Sequence, residues 1–150
     1  MGMCEYVTNG YGVRFGRSNG TNTTPEKLRT LLELAPLLKA EIMEYFDDID
    51  IAYEDATVDD FESFEQDYYT GIPYIMARVI NEKYKEDFMG AMSDENGFLY
   101  LFCPEQMPWD MSEFEKELTK ERLTSIIEEC WNILYDSGVS IDSVTIHNFG

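Results

Sequence analysis

Between positions 40 and 77 the chain carries twelve carboxylates and neither lysine nor arginine: Glu41, Glu44, Asp47, Asp48, Asp50, Glu54, Asp55, Asp59, Asp60, Glu62, Glu65 and Asp67. Carboxylates at this density can hold a hard cation, work as acid–base pairs, or present a field of negative charge to a basic partner. Calcium is the first chemistry to test. With Asp48 as the first position of a calcium loop, Asp50 falls third, but the fifth is Ala52 and the sixth Tyr53, where an oxygen ligand and a glycine are required. No structured metal site is expected. Acid–base catalysis has no specific support either, because among thirty acids some pair always looks suggestive.

The other reactive types are sparse. His147 is the sole histidine, and Cys4, Cys103 and Cys130 have no CxxC spacing. They read as reduced thiols. Cys130 has the spacing of a helix core residue, Cys103 closes a strand, and His147 alternates with Val144 and Ile146, so a Cys–His nucleophile is disfavoured. Gly10-x-Gly12, Gly16 and Gly20 resemble a phosphate loop only superficially, since no helix starts before Pro25. Arg14 and Arg17 are left to bind an anion or to pair with the acidic surface. No cofactor is expected, and an enzyme is the less favoured reading.

The elements that must position the carboxylates follow from periodicity. Cys4–Thr8 and Tyr11–Phe15 flank Asn9-Gly10, the dipeptide of a two-residue hairpin turn. Thr24-Pro25 opens a helix. Its apolar stripe runs through Leu28, Leu31, Leu32, Ala35, Leu38, Ile42, Tyr45 and Phe46, with Pro36 set to kink or split it. A loop or short edge strand covers 47–56, and Thr57 with Asp60 has the form of a capping pair ahead of Phe61, Phe64 and Tyr68. Pro73 opens another helix. Phe88–Ser93 and Phe98–Cys103 read as a second hairpin about the turn Asp94-Glu95-Asn96-Gly97. Leu118-Thr119 and Leu123 have the spacing of a staple around an N-cap, so a last helix is expected to follow Thr119 and to end at Gly138. Ser143–Phe149 is a final strand. The expectation is one acidic α+β domain over 1–150: an antiparallel sheet of about five strands, in the order ββ-helices-ββ-α-β, with helices on one face.

Charge is distributed unevenly about this framework. Residues 1–39 hold three acids and five bases, so the net charge of -19 comes from the remainder, above all from the base-free stretch. Such a balance repels nucleic acid and anionic lipid alike. No apolar run is long enough to span a bilayer and no signal segment is present at Met1–Tyr6, so the expected compartment is the cytoplasm.

Eight aromatics interleave with the acids: Tyr45, Phe46, Tyr53, Phe61, Phe64, Tyr68, Tyr69 and Tyr74. If some of these anchor helices, the carboxylates beside them stand at fixed positions. A carboxylate run is ordinarily a solvated face, yet solubility alone is served by mixed signs. The sequence therefore points to an acidic, non-enzymatic binding protein that blocks a basic nucleic-acid-binding partner by charge mimicry. Inhibitors of restriction or CRISPR effectors carried by mobile elements work in this way.

The expected partner-binding residues are Glu44, Asp47, Asp48, Asp50, Glu54, Asp55, Asp59, Asp60, Glu62, Glu65 and Asp67, with Tyr53 and Trp109 as aromatic contacts. Trp109, within Gln106–Met111, has the competing role of a plug closing one end of the core. An immunity protein against a basic nuclease toxin would use the same physics. A small cytosolic enzyme and a housekeeping or virion component are the readings from other classes.

Overall fold

The computed structural model describes residues 5–16, 23–64, 71–92, 99–104, 113–135, 139 and 141–149. Four strands form one antiparallel sheet in the order β2-β3-β1-β4, from β1 (Glu5–Gly16), β2 (Met89–Met92), β3 (Leu99–Pro104) and β4 (Asp142–Phe149). The helices are α1 (Pro25–Leu32), α2 (Pro36–Asp48), α3 (Val58–Glu62), α4 (Ile72–Tyr84) and α5 (Glu113–Leu134), with a turn of 3-10 helix at Tyr53–Asp55. The fold is α+β as expected, but with four strands and not five.

The missing strand is the first hairpin. Asn9 and Gly10 lie inside one continuous strand and face Thr145 and Val144 of β4, while Gly10–Arg14 also face Pro104–Tyr100 of β3. With a partner on each side, the chain has no reason to fold back on itself. The glycines serve a close approach here. A Cβ on Gly10 would sit 2.2 Å from the Cys103 carbonyl oxygen, and one on Gly12 would sit 2.6 Å from that of Leu101. The fully buried Phe102 ring lies across both. The alternate residues Tyr11, Val13 and Phe15 join Leu101 and the helices in the main core.

Pro36 splits the long helical pattern in two. Thr24 caps α1 by accepting from Lys27 N, and the free amides at the start of α2 are taken from across the fold. Glu82 of α4 accepts from Leu37 N at 3.0 Å and from Leu38 N at 2.9 Å. One carboxylate thus satisfies two donors at the positive end of the α2 dipole.

Further along, Asn81 receives Phe88 N at 2.7 Å and donates to Phe88 O at 2.8 Å, which turns the chain from α4 into β2. Glu129 of α5 accepts from both Lys83 and Tyr84, and Arg122 pairs with Glu86, so the end of α4 and the segment that follows it are tied to α5. Helix α5 begins at Glu113, six residues ahead of the expected N-cap Thr119. The Glu-, Lys- and Leu-rich run before Thr119 has enough helix propensity to carry the helix through it, and Leu118 is left half exposed.

Replacing Glu82 by Ala is expected to lower stability by about 1–2 kcal/mol, because two amides lose a charged acceptor. The urea midpoint checks it, and Glu82→Gln, which keeps one carbonyl oxygen, should fall between the two.

Candidate partner interface

The carboxylates are held by an aromatic knot. Phe46 at the end of α2, Tyr53 in the 3-10 turn and Phe61 in α3 pack against one another with centroids 6.4, 5.2 and 6.0 Å apart. Phe46 and Phe61 are fully buried. Tyr45 extends the knot to Phe64 at 5.5 Å, and its hydroxyl meets Ser63 Oγ at 3.0 Å.

Each ring that turns inward has acids beside it in sequence that turn outward. Glu44, Asp47, Asp48 and Asp50 flank Tyr45 and Phe46, Glu54 and Asp55 follow Tyr53, and Asp59 precedes Phe61, all seven exposed. Among the described residues none of these seven is in an ion pair. Three other acids of the stretch have structural roles. Glu41 pairs with Arg78 at 2.5 Å. Asp60 closes a capping box with Thr57, as its spacing implied. Glu62 packs against Gly71, whose φ of +57° opens the turn into α4.

Lys39 stands beside the knot, engaged by Glu33 at 2.8 Å and lying over the Tyr53 ring. The hydrogen bond to Glu33 raises its pKa against the opposing desolvation, and the Glu33, Tyr53 and Glu54 charges add to the rise.

Tyr53 is placed differently from an interface tyrosine. Its ring belongs to the knot, its hydroxyl is buried with no hydrogen-bond partner among the described residues, and burial raises its phenol against the pull of Lys39. Glu65, Asp67 and Trp109 lie outside the described residues, as do Tyr68, Cys4 and Arg17. The sequence pattern did not single out three exposed apolar side chains next to the acids: Leu37, Met43 and Ile49, at 76%, 39% and 41% exposure. The signal was the break at Pro36, which restarts the helix with Leu38, Ile42 and Phe46 inward and Leu37 outward.

Local energetics run against this distribution of charge. Asp47 and Asp48 occupy the last turn of α2, at the negative end of its dipole, with no basic residue there. Glu44 lies three and four residues before them, a repulsive spacing. Asp50 takes the left-handed position, φ 59°, of a helix ending closed by Ile51 N to Phe46 O and Asp50 N to Asp47 O. Glycine is the usual occupant of that position.

Elsewhere, a shallow groove of about 330 Å³ runs along α5 between Glu117, Lys120, Glu121, Thr124, Ser125 and Glu128. No group of three or more carboxylate, thiol or imidazole side chains with metal-holding geometry occurs among the described residues. Burial pushes the Cys103 thiol up to about 11 and the Cys130 thiol up to about 12, so neither supplies a thiolate near neutral pH. His147 stands opposite Val7 in the β1–β4 register. No helix of the described residues is long and apolar enough to cross a membrane. No family model, curated protein or solved structure matches the chain.

Two outcomes are expected. Asp50→Gly and Asp48→Lys should each raise stability by about 0.5–1 kcal/mol, the first by relieving the left-handed backbone and the second by reversing a charge at the helix end; urea unfolding reads both. Cys103 and Cys130 should resist iodoacetamide at pH 8 in the folded chain and react on unfolding. Their folded pKa values lie above the ordinary 9.0, so the folded state retains protons that the unfolded state releases. Stability should therefore be unaffected by these thiols below pH 9 and fall as pH rises above it.

Proposed function

We propose that this chain is an acidic binding protein that occupies the nucleic-acid-binding surface of a basic partner by charge mimicry, in the manner of inhibitors of restriction or CRISPR effectors. One observation carries the reading. Glu44, Asp47, Asp48, Asp50, Glu54, Asp55 and Asp59 are exposed around a buried aromatic knot and have no ion pair among the described residues.

Acids three or four apart on a helix stand roughly 5–6 Å apart, against a rise of roughly 3.4 Å between phosphates along one DNA strand. A cleft built to hold phosphates would meet a comparable density of charge, already ordered, and long-range attraction would speed the encounter. Asp47, Asp48 and Asp50 sit where a carboxylate lowers stability, and binding supplies a reason for them that folding does not.

The test uses Asp47, Asp48, Asp50, Asp55 and Asp59 replaced together by Asn, leaving the Asp60 cap intact. Immobilised wild-type chain, exposed to host lysate, is expected to retain a basic nucleic-acid-binding protein that elutes as salt is raised. Added in solution, the chain should release labelled DNA or RNA from that protein. The five-Asn variant should do neither, while unfolding at the same or a higher temperature. Retention of the same protein by the variant, with unchanged salt dependence, would remove the acidic array as the interface.

A further inference from the structure

Helix α2 is divided along its length on the side that faces solvent. Toward its start the exposed residues are Pro36, Leu37, Ala40 and Glu41, and toward its end they are Met43, Glu44, Asp47 and Asp48. Glu41, the one acid in the first half, is tied to Arg78 at 2.5 Å. Leu37 cannot turn inward, because its amide is fixed by Glu82 and the inward stripe belongs to Leu38, Ile42 and Phe46. The negative end of the helix dipole falls at the acidic end and adds to its field.

We propose that this face is a two-part docking surface for an amphipathic cationic segment of the partner protein, with an apolar side chain over Leu37 and Lys or Arg over Glu44, Asp47 and Asp48. The cationic half rests on the charge-mimic reading, and the apolar half goes beyond it. A phosphate mimic alone has no use for a leucine at 76% exposure on the helix that carries its charges.

Charge complementarity selects the occupant. A second copy of this chain would set acid against acid with the α2 helices parallel, and Leu37 against Asp47 and Asp48 with them antiparallel. A cationic amphipathic segment satisfies both halves. Leu37 and Asp47 are ten residues apart, about 15 Å along the helix, which fixes the separation of the apolar anchor and the cation on the partner.

Fluorescence anisotropy with three labelled peptides tests the proposal. One is a helical peptide of about 14 residues, long enough to run along α2, with Leu at one end of its face and Lys at the other. The second has the same composition with Leu and Lys intermixed, and the third is oligolysine of equal charge. Wild-type chain is expected to bind the segregated peptide about tenfold tighter than the intermixed one, the scale of burying one leucine. Leu37→Ser should erase that preference without altering oligolysine binding. Replacing Asp47 and Asp48 together by Asn should weaken all three peptides and flatten the salt dependence.

If Leu37→Ser leaves the preference intact, or wild-type chain shows none, the apolar half is wrong while the charge reading stands. If no cationic peptide binds wild-type chain, both fail. A dimer in sedimentation that Leu37→Ser dissociates would assign the face to a second copy and overturn the proposal.

Discussion

The packing of Phe46, Tyr53 and Phe61 is the contact on which the acidic surface depends. Without it, the segment from Glu44 to Asp60 would be a polar, self-repelling chain with little reason to adopt one conformation. Aromatic pairs in tilted and edge-on arrangements contribute about 0.5–1.5 kcal/mol each beyond the area they bury. Here three such pairs join the end of one helix, a 3-10 turn and a second, short helix. The rings are adjacent in sequence to the carboxylates, so burying one fixes the direction of its neighbours. The interleaving of acids and aromatics is thus a single device: the aromatic side chains provide the rigidity and the acidic ones the field.

That device opposes the local preferences of the chain. An acidic last turn, like charges three and four apart, and an aspartate in a left-handed position each cost a few tenths of a kcal/mol to about one. The compensations lie nearby. Glu82 caps the opposite end of α2, Asp60 and Thr57 cap α3 reciprocally, and Arg78 neutralises Glu41. Glu82 and Asp60 are satisfied by amides and Glu41 by a guanidinium, whereas the acids at the exposed positions named above have no ion pair among the described residues.

Much of the helical framework was legible because its signals are local. Thr24-Pro25, the Thr57–Asp60 box and Pro73 act within one turn, and the Leu28-to-Phe46 stripe survives its break at Pro36 because both pieces pack on the same core. The strands were harder to read. Asn9-Gly10 has the composition of a turn, but a glycine required for close approach to β3 has the same appearance in sequence, and only the partners on both sides of β1 distinguish the two uses. The start of α5 was misread for a related reason: a threonine within a run of strong helix formers is tolerated, so a capping pattern there does not begin a helix. The candidate site was legible as composition, but not in its division of labour. Tyr53 looked available and is packed inward, while Leu37, which the apolar stripe passes over, is the most exposed of the large apolar side chains described.

The exposure of Leu37 bears on what kind of binding surface the segment makes. A purely ionic interface is steered over long range but weakened by salt, since the Debye length is about 8 Å at physiological ionic strength. An apolar contact is less sensitive to salt and acts only on close approach. Leu37 lies toward the start of the helix that carries Asp47 and Asp48 at its end, so under the proposed function one helix supplies both the attraction that brings a basic partner in and the contact that slows its departure. Neither element suffices alone. The carboxylates without the leucine would favour any cation, and the leucine without the carboxylates would favour any apolar patch. Specificity for one partner would come from the fixed distance between them, which is set by a helix held at one end by Glu82 and at the other by Phe46.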